Sequence, residues 1–440
     1  MPRYFLVYYY YFILFVIFIT LMLIGVPIGA ALGIGGIVAI TLSNLDTANY
    51  GLLAVPQNFY AGIAKYPLLA IPMFVLVGSI FDRSGVAERL VNFAVAIVGR
   101  GPGMLPLVAI LVAMFLGGIS GSGPANAAAV GGVMIAAMAN AGYPRAFAAS
   151  VVGAAAATDI LIPPSVAFVV YSVLVPGASV PALFAAGMLP GLLAGIALIV
   201  PAVWLARKHK MGALEADLPR PPFWKSCKEA LWGLSAPFII LGGMRAGWFT
   251  PTEAAVVAVF YGLFVGMVIY RTIKIRDLYE ILLEAGETSS VILMVIALAG
   301  IFAYALSTLG VIDPMANAIA RSGISEAGVL ALIVLLLMTL GMFLDGISIF
   351  LIFVPLLLPI AQAYQWDLVW FGVILTLKVA LGQFTPPLAV NLMVACKIAG
   401  VKMEETIRWV IWLLGAFFMA MVLVLIFPPI ATWLPRYLGY

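Results

Sequence analysis

Charge is what this chain has least of. Of 440 residues, 9% are Asp, Glu, Lys or Arg and 65% are hydrophobic, and the mean hydropathy is +1.19. Ordinary soluble domains carry about 25% charged residues, so a water-soluble globule is excluded: too few charged groups exist to cover it. Histidine occurs once, as His209 in ARKHK, and cysteine twice, as Cys227 and Cys396, with no C-x-x-C spacing. Neither a disulfide framework nor a zinc site is suggested, and no transition metal is expected. No G-x-x-x-x-G-K-S/T phosphate loop is present, no H-E-x-x-H, and no histidine or paired glutamate in an apolar run. ATP hydrolysis and acid–base or metal catalysis therefore lack their machinery, so the chain reads as no enzyme and calls for no organic cofactor. The net charge of +4 is small and scattered, which gives no footprint for nucleic acid.

What the chain has is apolar runs of the roughly 20 residues that cross a bilayer, such as VPALFAAGMLPGLLAGIALIVPAVWLA (180–206) and EAGVLALIVLLLMTLGMFL (326–344). Continuous runs exclude a β-barrel, whose strands alternate over about ten residues. The fold class is an all-α polytopic membrane protein. The N-terminal MPRYFLVYYYYFILFVIFITLMLIG is too long and aromatic for a cleaved signal and reads as a first membrane helix.

The longest polar stretch, residues 207–229, holds six lysines and arginines and is read as a cytoplasmic linker. It separates residues 1–206 from residues 230–440. The halves are similar. Ile119-Ser120-Gly121 lines up with Leu344-Asp345-Gly346, and Pro163-Pro164 with Pro386-Pro387, at offsets of 225 and 223 residues. Each half is expected to hold a re-entrant hairpin (around 104–140 and 326–364) and a broken helix (around 159–165 and 382–391). Expected spans include 145–160, 165–176, 230–243, 287–309, 368–382, 387–398 and 406–433. Paired breaks in corresponding positions suit a transporter built from two repeats. Each hairpin tip is expected to meet the break of its own half.

Glycine and proline are poor material for a membrane helix, and unpaired backbone groups in hydrocarbon cost several kcal/mol each. Helix ends inside the membrane therefore need a partner: C-terminal carbonyls favour a cation and N-terminal amides an anion. Clustered carbonyl and hydroxyl oxygens suit a hard cation such as Na⁺, and Ser120, Ser122, Ser165 and Thr385 can add hydroxyls. The competing reading, close packing of small residues, accounts for ANAAAVGGVMIAAMA and AASVVGAAAA better than for Pro-Pro flanked twice by Ser or Thr. Asp159 and Asp345 are intramembrane carboxylates, functional by default, with structural capping as the alternative. Lys378 could pair with an acid, attract an anion or snorkel. Asn126 and Asn391 could bridge helices or touch a ligand. Asn126, Asp159, Ser165, Lys378 and Asn391 are the candidate substrate contacts.

Five ordered segments then become recognisable: PLLAIPMFVLVGSIFDRSGVAERLVNFAVAIVG (67–99), GGISGSGPANAAAVGGVMIAAMANAGYPRAFAAS (117–150), ILIPPSVAFVVYS (160–172), GGMRAGWFTPTEAAVVAVFYG (242–262) and LGQFTPPLAVNLMVA (381–395). Together, from about residue 22 to 430, they resemble the large membrane subunit of tripartite ATP-independent periplasmic (TRAP) transporters. The resemblance implies two inverted repeats forming an elevator-type scaffold and transport domain in a bacterial inner membrane. It implies sodium-coupled uptake of a carboxylate-bearing solute, of the sialic acid or C4-dicarboxylate class. The implied partners are a small four-helix membrane subunit, not fused here, and a periplasmic substrate-binding protein. By the same resemblance, one sodium site combines Ser120, Gly121 and Ser122 with Ile162, Pro163 and Pro164. A second combines Asp345 and Gly346 with Gly382, Thr385 and Pro386. Two residues depart from the family pattern: Ala389 stands where a glycine is usual, and Asp159 where a small or apolar residue is usual. A channel with re-entrant hairpins is the competing function.

Overall fold

The computed structural model describes residues 3–46, 52–99, 101–215, 221–310, 323–342, 344 and 346–440. The described residues are helical almost throughout, as backbone satisfaction within lipid demands. In order they form α1 (Arg3–Leu23), α2 (Ile28–Asp46), α3 (Ala54–Ile63), α4 (Ala70–Arg83), α5 (Val86–Val98), α6 (Met104–Ser120), α7 (Gly123–Asn140), α8 (Arg145–Ala156), α9 (Val166–Leu174) and α10 (Val180–Lys208). The second half continues with α11 (Phe223–Arg245), α12 (Pro251–Leu263), α13 (Asp277–Thr308), α14 (Glu326–Leu340), α15 (Gly346–Ala363), α16 (Leu368–Gly382), α17 (Val390–Ala399), α18 (Met403–Ile426) and α19 (Pro429–Leu438). A 3₁₀ turn, Tyr66–Leu69, leads into α4, and a π turn, Phe264–Ile269, extends α12.

Six of these elements are long and apolar enough to cross a membrane, among them Val180–Lys208, Asp277–Thr308 and Met403–Ile426. Pairs of short apolar helices alternate with them. In the first half a hairpin (α6, α7) precedes an interrupted pair (α8, α9) and the long α10. In the second half the hairpin α14, α15 precedes the pair α16, α17 and the long α18.

Three boundaries differ from expectation. The helix α11 begins at Phe223 rather than 230, because Pro222 in extended geometry starts a helix that takes in part of the polar linker. The helix α13 begins at Asp277 rather than 287: its first three turns carry Asp277, Glu280, Glu284 and Glu287 among apolar residues and are helical. The span 406–433 is two helices, split at Phe427 and Pro428, since proline lacks the N–H that would continue α18. The short α3, with polar Gln57 and Asn58 on its surface, was not expected.

Small residues set the centre of the packing. Every residue of α8 from Ala146 to Ala156 is buried, against α6, α7, α17 and α18. A methyl on Gly153 would lie 2.9 Å from the Leu392 Cα, so this stripe does serve close approach between helices. Outside it, α13 packs on α2, α3 and α4, and α12 on α4.

The first hairpin is clasped at its base. Glu215, 3% exposed, accepts from the Leu105 backbone N–H at 2.8 Å and from the Tyr143 hydroxyl. That hydroxyl also accepts from the Gly103 N–H at 2.7 Å. A residue 110 positions away thus caps the start of α6. Burial pushes the Glu215 carboxyl above its ordinary range, against the pull of these donors. The base of the second hairpin is looser, with Glu326 accepting from the Trp366 indole at 2.6 Å on an exposed face.

Candidate functional site

At the first hairpin tip α6 ends at Ser120, and Gly121 turns the chain with φ +63, a left-handed conformation that glycine takes without a side-chain clash. Ser122 is extended and α7 starts at Gly123 with Pro124 in its first turn. Beneath this tip lies the interruption between α8 and α9. A methyl on Gly118 would sit 3.2 Å from the Pro163 carbonyl oxygen, and one on Gly121 3.1 Å from that of Pro164. Neither proline carbonyl accepts a hydrogen bond from a described residue. The Pro163–Pro164 peptide is cis. Ile162 packs against Gly118 and Gly191.

Asp159 is fully buried under the same tip. Its Oδ1 lies 3.2 Å from a methyl placed on Gly117. The Gly121 and Ser122 amides are turned toward the carboxylate, but among the described residues neither oxygen has a hydrogen-bond partner.

The second tip, between α14 and α15, meets α16. A methyl on Gly382 would lie 2.6 Å from the Gly341 carbonyl oxygen, and one on Gly346 2.3 Å from Val379 Cγ1. Only glycines allow this approach. Pro386–Pro387 is also cis. The Thr385 hydroxyl donates to the Leu381 carbonyl at 2.6 Å. Asp345 lies outside the described residues. Lys378, 1% exposed, is inside this junction with no hydrogen-bond partner for Nζ among the described residues. Ala389 takes the left-handed conformation, φ +41, without a glycine's freedom.

Each tip does meet the break of its own half, and the first tip has a further neighbour that was not expected. Pro163 and Pro164 do flank the first tip, but a methyl on Gly123 would also lie 2.6 Å from Gln383 Oε1 and 2.7 Å from Asn391 Nδ2. The first hairpin therefore abuts the break of the second half. Asn391 donates from Nδ2 to Gln383 Oε1 at 3.0 Å, and its backbone N–H to the Gln383 carbonyl at 3.0 Å.

A cavity of about 260 Å³ opens where these parts converge. Its walls on one side are Gly121, Ser122, Gly123, Gly346 and Gln383; on the other are Ser79 and Asp82 of α4 and Glu284 and Thr288 of α13. Of the expected site residues, Gly121, Ser122 and Gly346 line it. Ser120 ends α6 next to it. Ile162, Pro163, Gly382, Thr385, Pro386, Asn126, Asp159, Ser165, Lys378 and Asn391 lie behind its walls.

Two of these have local tasks. Ser165 donates to the Ile160 carbonyl at 2.6 Å and accepts from the Phe168 N–H, capping α9. Asn126 donates to the Ala113 carbonyl at 2.8 Å, tying the arms of the first hairpin. Even so, Asn126 Oδ1 and Asn391 Oδ1 join Asp159 and Lys378 among the few buried polar atoms of the described residues without a partner.

Sequence reasoning missed Asp82, Glu284, Thr288 and Gln383. Gln383 stood in the quoted LGQFTPP, and a polar amide between two helix breaks was the available signal. Asp82, in FDRSG at the end of α4, carries no local signal. Arg83 beside it bridges Glu280 at 2.8 Å and Glu284 at 3.1 Å.

Residues 15–430 match the family described as "Tripartite ATP-independent periplasmic transporter, DctM component". The chain belongs to that family. It is a TRAP large permease, a multi-pass membrane transport subunit rather than an enzyme, of a family that works with a small membrane subunit and a periplasmic binding protein.

Among relatives, the C4-dicarboxylate TRAP transporter large permease protein DctM of Pseudomonas aeruginosa is 38% identical, over 93% of this chain and 94% of its own. The sialic acid TRAP transporter large permease protein SiaM of Vibrio cholerae is 35% identical, over 96% and 97%. The isethionate TRAP transporter permease protein DctMQ of Oleidesulfovibrio alaskensis is 36% identical over 94% of this chain, which spans 65% of that protein's length. In fold, this permease is similar to the YdaH transporter of Alcanivorax borkumensis (14% identity, TM-score 0.58, 88% of this chain and 90% of that one). It is also similar to MtrF of Neisseria gonorrhoeae (13%, 0.59, 90% and 95%).

Proposed function

We propose that this TRAP large permease imports a carboxylate-bearing solute across a bacterial inner membrane, driven by sodium, by an elevator movement of one repeat-derived body against another. Both repeat halves, 1–206 and 230–440, joined by the linker 207–229, contribute to the scaffold and to the moving body, which holds both hairpins. The observation that carries the reading is the 260 Å³ cavity between the two hairpin tips on one wall and α4 and α13 on the other. Two helices, α7 and α15, begin at this cavity, and helix N-termini favour a carboxylate. Ser79, Ser122, Thr288 and Gln383 add hydrogen-bonding groups.

Asp82 and Glu284 stand on the opposite wall, and Glu284 is paired with Arg83. A carboxylate facing Asp82 would be repelled, so the geometry favours a monocarboxylate bearing hydroxyl or amine groups, as sialic acid does, over a dicarboxylate.

Both hairpin–break junctions are proposed cation sites. At the first, the donors fit sodium: the Pro163 and Pro164 carbonyls, without a donor among the described residues, face the tip glycines, Ser122 flanks them, Asp159 lies below, and Ser120 is assigned from sequence. Among the described residues no three His, Cys, Asp or Glu side chains gather as a transition metal would need. At the second, Gly346, Gly382, Thr385 and Pro386 present mainly backbone oxygens, with Asp345 assigned from sequence alone.

Reconstitution with a small subunit and a binding protein tests this. Labelled sialic acid should enter proteoliposomes only under an inward sodium gradient, and C4-dicarboxylates should compete weakly. Uptake indifferent to sodium would sink the coupling, and solute flux through the permease alone would mark a channel.

A further inference from the structure

The scheme above leaves one buried charge without a task. Lys378 is carried by α16 one turn before the chain breaks, 1% exposed, with no partner for its ammonium among the described residues. A methyl placed on Gly341 would lie 3.5 Å from Lys378 Nζ and 3.6 Å from the Gly382 Cα. Gly341 is the C-cap of α14 and Gly382 the last residue of α16. The ammonium thus stands at the contact between the second hairpin tip and its break. It does not line the solute cavity, so it is not placed to grip the solute there.

Two cations do not share one small oxygen-lined space, because like charges at contact distance repel strongly where water is excluded. An ammonium carries the same unit charge as sodium and offers three donors to the carbonyl oxygens that sodium would bind. An ammonium inside a helix bundle with no partner among the described residues is costly, and its retention implies a use for the charge itself. At the first junction the buried charged group is instead the carboxylate of Asp159, and no Lys or Arg among the described residues is buried there.

We propose that Lys378 is a tethered cation that takes the place of a sodium ion at the second junction, so that this permease is coupled to sodium through the first junction alone. The inference rests on the sodium reading given under Proposed function and narrows it.

The test is a sodium count on the purified full-length chain with its small subunit. Equilibrium ²²Na⁺ binding gives the stoichiometry. Thermal unfolding against sodium chloride, with choline chloride holding ionic strength constant, gives the cooperativity. One ion per chain with non-cooperative stabilisation is expected for the wild type. Lys378→Gln should bind a second ion and show a steeper sodium dependence. Lys378→Arg, which keeps the charge, should return to one ion, and it also serves if the Gln variant does not fold.

Two ions on the wild type would overturn the role of Lys378 and leave sodium coupling intact. A well-folded Lys378→Gln that still binds one ion would also overturn it. No sodium binding by any of the three proteins would remove the sodium reading and this inference together.

Discussion

At the first junction a carboxylate, Asp159, is buried beneath the hairpin tip; at the second an ammonium, Lys378, is buried beside it. Around them the backbone is alike. Each junction brings a hairpin tip glycine within a methyl's width of a carbonyl or helix, and each adjoins a Pro-Pro interruption. The likeness comes from the chain path, which small residues and prolines dictate. The difference comes from single side chains, which a duplicated path leaves free to diverge. Repeated architecture is therefore a poor guide to repeated chemistry.

The largest expected effect tests how tightly the first junction is closed. Gly121→Val would put a β-branched residue at φ +63 and press it on the Pro164 carbonyl, a cost of about 3 kcal/mol. Sodium-driven uptake should fall to background. Gly341→Ala at the second junction has helical φ and should retain much more uptake in the same proteoliposome assay.

Next, the two charges should act in opposite directions. Asp159→Asn should weaken sodium about 10- to 100-fold, the worth of a charged contact, seen as a higher half-saturating concentration in uptake and thermal-shift titrations. Lys378→Gln should lower it. A shift of both variants in the same direction would break the comparison between the junctions.

The hairpin bases offer a smaller contrast. Tyr143→Phe leaves the Gly103 N–H and one Glu215 oxygen without their partner and should cost about 1–3 kcal/mol. Glu326→Gln, on an exposed face, should change the unfolding midpoint little. Because burial raises Glu215, the folded chain holds that proton to higher pH than the unfolded chain. The stability this adds is present in acid and is lost as pH rises through the raised value. Glu215→Gln should flatten that part of a pH–stability profile.

The smallest effect is expected at Ala389. Glycine there removes the left-handed penalty at φ +41 but frees the unfolded chain, for a net gain of about 0.5 kcal/mol, measurable as a modest rise in midpoint.

Much of the site was legible because its backbone features are local. Gly121 as a turn, Pro163-Pro164 and Pro386-Pro387 as interruptions, and the presence of Asp159 and Lys378 within apolar runs are all read from residue type. The tasks of Ser165 and Asn126 were not legible: a serine two residues from a broken turn and an asparagine in a hairpin arm have local acceptors in reach, and only coordinates show that they take them. Asp82 and Gln383 were missed because their importance comes from what lies across the cavity. No local pattern distinguishes a carboxylate at an ordinary helix end from one that faces a hairpin tip. The start of α13 at Asp277 was hidden too, since four acidic residues in its first three turns mask the helical run until a neighbour holds it.

By itself the sequence determined that this is a helical membrane protein with matched interruptions, and its ordered motifs placed it among TRAP large permeases. These are properties of composition and of short segments, where the bilayer's demand for satisfied backbone leaves few options. Only the tertiary structure decided that the first hairpin abuts Gln383 and Asn391 of the other half, that Asp82 and Glu284 close the cavity, and that Lys378 is buried inside the second junction. Those contacts join residues far apart in the chain. They are settled by the close fit of small residues between helices, which local propensity does not encode.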